Sequence, residues 1–496
     1  MLSQILRDAR KYEEAKGNKI TKQMRPQFHL SSRVGWMNDP NGFSYYNGTY
    51  HLFYQYHPYD SRWGPMHWGH AVSRDLLHWT YLPAALAPDS DYDRDGCFSG
   101  SGLALPDGRH LLLYTGVVNQ TQPDGTNRAV QTQCIAIGDG MDYEKYPENP
   151  VIDRTKLPEG ASIYDFRDPK IWKEGDTYYC VVGNCTEDKD GQILMFSSTD
   201  GFHWDFDRIL AKNYRRFGRM WECPDFFNLD GKQVLLTSPQ DMLPKDFEYH
   251  NGNGTVCMIG HWDEAAGDFV EESNQAIDYG IDFYASQTVL TPDGRRVMIG
   301  WMQNWDTCNL HGPDEPWFGQ MSLPRELSLK NGRLIQKPVR ELEQLRAHPV
   351  QYKNVPVSQI VKLEDIKGRH IDMELNIRPR EGKELFRKFA VRFAQNGDYH
   401  TSVTFRPHES IVKIDRKFSG SRRAIIHQRR SKVRYDGKSL KLRLILDSYS
   451  VEVFVNGGEY VLSATMYTPL DADGILFYAD GEAVMDVVKY DLITGE

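Results

Sequence analysis

Ser73-Arg74-Asp75-Leu76-Leu77-His78-Trp79 and Ser198-Thr199-Asp200-Gly201-Phe202-His203-Trp204 spell one pattern, S-x-D-x-x-H-W, twice in this chain. The copies lie about 125 residues apart, or two units of about sixty, the size of a four-stranded blade in a radial repeat. The sequence around them agrees. From about residue 30, short runs rich in aromatic and β-branched residues (YHLFYQY, HLLLYTGVV, TYYCVVG, QILMFSS, KQVLLTS, RRVMIGW) alternate with turns. Tyr46-Asn47-Gly48, Pro106-Asp107-Gly108, Glu174-Gly175-Asp176, Leu229-Asp230-Gly231 and Pro292-Asp293-Gly294 each precede such a run. This is hairpin chemistry at regular intervals. A β-sandwich could use as many strands but explains the repeat less well. The expectation is an all-β chain whose first part is a five-bladed β-propeller.

Outward from that core the texture changes twice. Residues 3–16 read as a short amphipathic helix with Ile5, Leu6, Ala9 and Tyr12 on one stripe. Near residue 340 a polar stretch, KPVRELEQLRAHPV, gives way to period-two runs such as HIDMELNIRP, YHTSVTFRP and LKLRLILDSYSVEVFVN. These fit antiparallel strands with one wet face. The expected organisation is a helical extension at 1–25, the propeller at 26–340, a linker at 341–354 and a C-terminal β-sandwich at 355–496.

Composition narrows the function classes. A net charge of -9 argues against nucleic acid or an anionic membrane surface as partner. No apolar stretch is long enough to span a bilayer, and the charged start MLSQILRDARKYEEAKGNK lacks a signal-peptide core. A cytoplasmic location is the expectation, and the Asn47, Asn119, Asn184 and Asn253 sequons then carry little weight. The seven cysteines are irregularly spaced and fit neither a disulfide framework nor a zinc site. Asp89, Asp91, Asp93 and Asp95 look like a calcium loop, but counting from Asp91 the twelfth position is Gly102 rather than a bidentate Glu. A solvated turn is expected there. His67 and His70 lack a third ligand at useful spacing. No cofactor and no metal is expected. The basic stretch from Lys413 to Arg434, with Arg422, Arg423, Arg429 and Arg430, reads more simply as a solvated strand face than as an anion site. A homo-oligomer through the sandwich stays open.

Three tripeptides carry the chemistry: Asn38-Asp39-Pro40 in WMNDPNGF, Arg167-Asp168-Pro169 in DFRDPKIW, and Glu222-Cys223-Pro224 in WECPDFF. A lone Asp-Pro is usually a turn. Three carboxylate–proline pairs, each just before a strand-like run, could instead be gathered at one channel mouth. Glycosidic cleavage needs two carboxylates facing one anomeric carbon, one protonated and one ionised.

These segments resemble the three signatures of family 32 of the glycoside hydrolases, the invertases and fructan-degrading enzymes. The likeness extends to FSGSG at 98–102, DFYAS at 282–286 and GQMSLPREL at 319–327. The resemblance implies a retaining, exo-acting β-fructofuranosidase that takes a small carbohydrate, sucrose or a short fructooligosaccharide. Asp39 would be the nucleophile, forming a covalent fructosyl-enzyme. Glu222 would be acid and then base, at a carboxyl separation of roughly 5–5.5 Å. Asp168 would hold two fructose hydroxyls, and Arg167 would keep Asp168 ionised. Trp221 and Cys223 would favour a protonated Glu222 by partial desolvation. Substrate contacts are implied at Asn38, Gln55, Trp63, Phe98, Ser99, Arg167, Cys223, Tyr284 and Trp301, with Tyr284 bonded to Glu222 or to the sugar. Two alternatives use the same carboxylates, a sucrose-6-phosphate hydrolase and a fructosyltransferase. A phosphate would call for cations such as His57, Arg62 or His311. A non-enzymatic fructan-binding protein should lack a carboxylate, and all three are present.

Overall fold

A computed structural model describes residues 2–308, 315–397, 399–420 and 426–495. His311, Arg422 and Arg423 lie outside the described residues. Among the described residues, apart from the helix Gln4–Gly17 and three short 3-10 turns, the regular structure is β-strand. Ser3 caps the helix by accepting from the Leu6 backbone N–H at 3.1 Å. Leu6, Ala9 and Glu13 are its buried face, whereas Ile5, expected on the stripe, is 45% exposed. Buried Glu13 accepts from the Ala84 N–H at 2.8 Å, which docks the helix on the first blade. No helix among the described residues is long and apolar enough to cross a membrane.

Five blades follow, each an antiparallel four-stranded unit counted from the inside: Gly35–Leu86, Gly96–Lys145, Ala161–Lys212, Trp221–Ala276 and Tyr284–Pro338. The innermost strands are Gly35–Tyr46, Gly96–Ala104, Ala161–Glu174, Trp221–Leu229 and Tyr284–Leu290, and each packs on the next until the fifth meets the first. Trp317–Phe318 then pairs in parallel with Gly35–Trp36, latching the chain after the fifth blade's second strand onto the first blade.

The seven-residue repeat now has a physical meaning. It is the turn between the third and fourth strands of the first and third blades. In the first copy Asp75 accepts from the backbone N–H groups of Leu77 and His78 and meets the His78 ring at 2.6 Å. In the second, Asp200 accepts from Phe202 and His203 and meets the His203 ring at 2.7 Å. One carboxylate satisfies the turn's free donors, so Asp and His recur at fixed spacing.

The C-terminal part, from Arg346, is sandwich-like: among the described residues, ten strands form one hydrogen-bonded network around a large apolar core. The strand Gly474–Leu492 joins its layers. One edge pairs with Arg346–Val361, and the other pairs first with Lys388–Asn396 and then with Ile371–Pro379. Residues 341–354, expected as a linker, are therefore ordered. They form most of the 3-10 turn Arg340–Leu345 and the first part of Arg346–Val361, because a partner strand satisfies their backbone.

Propeller and sandwich share a buried charged seam. Arg325, fully buried, bonds Glu452 at 2.6 Å and Asp278 at 3.1 Å, while His29 bridges Asp447 at 2.8 Å and Glu452 at 3.1 Å. Arg416 meets Asp282 at 2.5 Å. The acidic run at 89–95 also differs from the expected solvated turn. Asp93 is wholly buried and pairs with Lys145 at 2.5 Å, which also binds Asp89.

Candidate active site

Every innermost strand breaks register where a candidate residue sits. The irregularities fall between Met37 and Pro40, at Ser99 between Phe98 and Gly100, between Arg167 and Lys170, between Glu222 and Asp225, and between Tyr284 and Gln287. A bulge re-aims a side chain out of the strand's alternation. Proline, with no N–H to lose, is tolerated there. Pro169 and Pro224 lie inside their bulges and Pro40 ends another, which is the structural reason the sequence pairs carboxylates with prolines. Asp168 (φ +65°) and Cys223 (φ +49°) take left-handed backbone at these points.

The bulges bring Asp39, Asp168 and Glu222 together. Asp39, buried, accepts from the Ser99 hydroxyl at 2.6 Å and from the Asn38 amide at 3.0 Å. Burial pushes its carboxyl up, the Ser99 bond opposes this, and the charge of Glu222 raises it further. The backbone N–H of Cys223 donates to Asp168 Oδ2 at 3.0 Å, and the Cys223 sulfur lies 3.6 Å from Asp39 and 3.5 Å from Asp168. Asp168 is raised to about 7 by burial and by the charge of Glu222, with Arg167 only partly offsetting them.

Two expectations about neighbours are corrected. Arg167 was expected to hold Asp168 ionised. It does lower that carboxyl, without overcoming burial and Glu222, while its guanidinium directly meets Glu222, with Nε and Nη2 each 2.9 Å from Oε1. Adjacent residues along a strand diverge, so Arg167 finds its partner on the next blade. Trp221, with Cys223, was expected to desolvate Glu222 partially. Its ring lies wholly buried with Val181, Ile193 and Met242, and its indole N–H donates to Phe217 O at 2.8 Å.

Tyr284 completes the surroundings of Glu222. Its hydroxyl lies 2.7 Å from Glu222 Oε2 and 2.9 Å from the carbonyl of Ser238. A phenol has one proton, and a carbonyl only accepts. When Tyr284 gives its proton to Ser238, its oxygen is free to accept one from Glu222. Arg167 donates to the other oxygen, Oε1, at 2.9 Å. Glu222 thus has a partner for each protonation state, which is what a group that gives and then takes a proton requires.

Of the remaining candidates, Phe98 and Trp63 meet edge-to-face at 6.1 Å, with Trp63 49% exposed. Gln55 is buried and donates to Cys97 O at 3.0 Å. Trp301, expected at the substrate, is instead 0% exposed and packs against Trp36 and Trp305, so it supports the pocket wall from behind. Three supporting residues carry no motif. Thr115 accepts from the Asp168 N–H at 3.0 Å, Gln131 accepts from Arg167 at 3.2 Å, and Ser238 holds Tyr284. They come from second and third strands, so only the blade register brings them here. Asp39, Asp168 and Cys223 offer ligand atoms within 4.8 Å of one another. Burial and the two carboxylates hold the thiol far above its ordinary range, which disfavours the thiolate a metal would need.

Comparison with known proteins agrees along the whole length. Residues 29–338 match the family model described as the glycosyl hydrolases family 32 N-terminal domain, and residues 341–492 match the family 32 C-terminal model. A sucrose-6-phosphate hydrolase of Escherichia coli is 37% identical over 487 residues, covering 96% of this chain and 95% of its own. A raffinose invertase of Escherichia coli is 37% identical over 476 residues, covering 93% of each. Among solved structures, the Bombyx mori GH32 beta-fructofuranosidase superposes with a TM-score of 0.83 at 34% identity and 98% coverage of both chains. The sucrose-6-phosphate hydrolase from Lactobacillus gasseri gives a TM-score of 0.82 at 27% identity, covering 100% of this chain and 97% of that one.

Proposed function

The chain belongs to family 32 of the glycosyl hydrolases, and from that premise we propose that it is a retaining, exo-acting β-fructofuranosidase that cleaves sucrose 6-phosphate. The observation that carries the cleavage reading is the buried meeting of Asp39, Asp168 and Glu222, each with its own hydrogen-bond partners. Asp39, oriented by Ser99 and Asn38, attacks the anomeric carbon of the fructofuranosyl unit. Glu222 gives its proton to the departing glycosidic oxygen, with Tyr284 and Arg167 serving its two states. Glu222 then takes a proton from the water that releases fructose from Asp39. Asp168, fixed by the Cys223 N–H, holds fructose hydroxyls as charge develops on the ring. Trp63 and Phe98 form the apolar wall beside the sugar.

The leaving group is read from the relatives. Sucrose-6-phosphate hydrolases of Escherichia coli, Zymomonas mobilis and Bacillus subtilis are 34–37% identical over 93–96% of the chain. A charged disaccharide does not cross a bilayer unaided, so this reading locates the reaction in the cytoplasm. Unphosphorylated sucrose is the second reading, favoured by the raffinose invertase and by a Bombyx mori family member solved with sucrose. A panel of sucrose, sucrose 6-phosphate, 1-kestose, inulin and levan decides between them. The proposal expects kcat/KM for sucrose 6-phosphate to exceed that for sucrose by about tenfold or more, the worth of one or two charge-assisted bonds. Equal or lower values would remove the phosphate reading. Trisaccharide rather than free fructose as the main product at high sucrose would make the protein a transferase.

A further inference from the structure

The innermost strands continue past the catalytic residues to the opposite mouth of the channel, where they line a cavity of about 910 Å3. Its floor carries an imbalance of charge. Lys170, buried, donates to Thr288 O at 2.6 Å and pairs with Asp225 Oδ2 at 3.1 Å. Asp225, 1% exposed, also accepts from the Thr288 N–H at 2.6 Å, and its other oxygen has no partner. Arg296 lies on the same floor and makes no ion pair among the described residues. Its nearest polar contact is the Thr288 hydroxyl at 3.5 Å, its Nε is unpartnered, and its guanidinium lies 4.7 Å from the centre of the Phe227 ring. The floor's one carboxylate is thus taken by Lys170 and Arg296 has none within ion-pair distance, in a place where charge is costly to leave unpaired.

The walls are of a different kind. Trp172 and Tyr179 stack at 5.6 Å, and Trp262 of the fourth blade also lines the cavity, with Arg208 over its ring at 5.1 Å. Arg208 is paired with Asp207 at 2.9 Å, and Lys173, Glu174 and Glu264 also line the cavity, so Arg296 is distinguished by its place on the floor, without an ion pair among the described residues. Half-buried aromatic faces beside an unpaired guanidinium suit a ligand with an apolar sugar face and an anionic group. We propose that this far mouth is a second ligand site that binds a hexose phosphate, its phosphate on Arg296 and its ring against the aromatic wall. Glucose 6-phosphate is also the leaving group of the reaction proposed above, so the part of its binding that depends on Arg296 and Trp262, rather than binding as such, reports this second site.

The test is calorimetric titration of the full chain with glucose 6-phosphate, glucose and inorganic phosphate, repeated on Arg296→Gln and Trp262→Ala. Glucose 6-phosphate should bind wild type more tightly than either part alone. Arg296→Gln should weaken it about tenfold or more, with kcat/KM for sucrose and thermal stability unchanged. Trp262→Ala, on the rim, should weaken glucose 6-phosphate while leaving inorganic phosphate unaffected. Unaltered glucose 6-phosphate binding in Arg296→Gln, or none in wild type, would overturn the site. Inorganic phosphate binding as tightly as glucose 6-phosphate would overturn the sugar ligand.

Discussion

Replacing Ser99 by alanine deletes one hydroxyl beside Asp39 and should move the acid limb of the pH–rate profile upward. Burial and the charge of Glu222 already raise the Asp39 carboxyl, and the Ser99 bond at 2.6 Å is the strongest contact opposing them. A hydrogen bond to an ionised group is worth about 1.5–3 kcal/mol. One pH unit corresponds to about 1.4 kcal/mol, so losing the bond shifts the ionisation by about one to two units. The limb is shared with Asp168, itself near 7, which places the shift of the whole profile at about one unit. The direction is fixed: a raised carboxylate loses its ionised form at higher pH, so activity falls earlier on acidification. The assay is kcat/KM for sucrose across roughly pH 4–8, with Asn38→Ala, whose bond is 3.0 Å, as the smaller companion change. A uniform loss of rate with the acid limb unmoved would refute the reasoning.

Other expectations follow from the same geometry. Tyr284→Phe should lower kcat about tenfold to a hundredfold with little change in KM, because the lost bond is to Glu222, the group proposed to transfer the proton, and not to the sugar; a change in KM alone would contradict that role. His29 is pulled down by burial but raised overall to about 9 by Asp447 and Glu452. Its contribution to stability is full below its unfolded value of 6.5 and lost as pH rises through 9, so melting temperature should drop over that window. His29→Ala should flatten that drop and cost about 3–5 kcal/mol at neutral pH by leaving two buried carboxylates underpaired, measured by denaturant unfolding. On the acid side, burial lowers His51 and His67 to about 4 and His110 to about 3. Their contribution is complete above 6.5 and is lost as pH falls through those values, so stability should decline steadily from pH 6.5 toward 4; a flat profile there would contradict their burial as neutral rings.

The propeller was legible because its repeat records local chemistry. Asp75 and Asp200 each bind the backbone two and three residues ahead, and such contacts leave fixed spacings. The grouping of the three carboxylates was legible for a related reason, since bulges leave prolines beside them. Contacts between blades leave no such trace. The partnership of Arg167 with Glu222, the support of Thr115, Gln131 and Ser238, and the burial of Trp301 all depend on which strand lies next to which. The stretch 341–354 misled for the opposite reason. Its polarity suited a connector, yet the strand Arg346–Val361 lies largely exposed at the sheet's edge and is held by backbone pairing to Gly474–Leu492, which composition does not display.

The central claim is that Asp39 becomes covalently fructosylated and that Glu222 serves both proton transfers. Its most direct test is mass spectrometry on Glu222→Ala quenched during reaction with a β-fructoside bearing a good phenolate leaving group. Such a substrate departs without acid assistance, while release from the enzyme stalls for want of the base. The account predicts a mass gain of one anhydrofructose unit on the peptide that contains Asp39. Phenolate release with no adduct, or an adduct on Asp168, would contradict it.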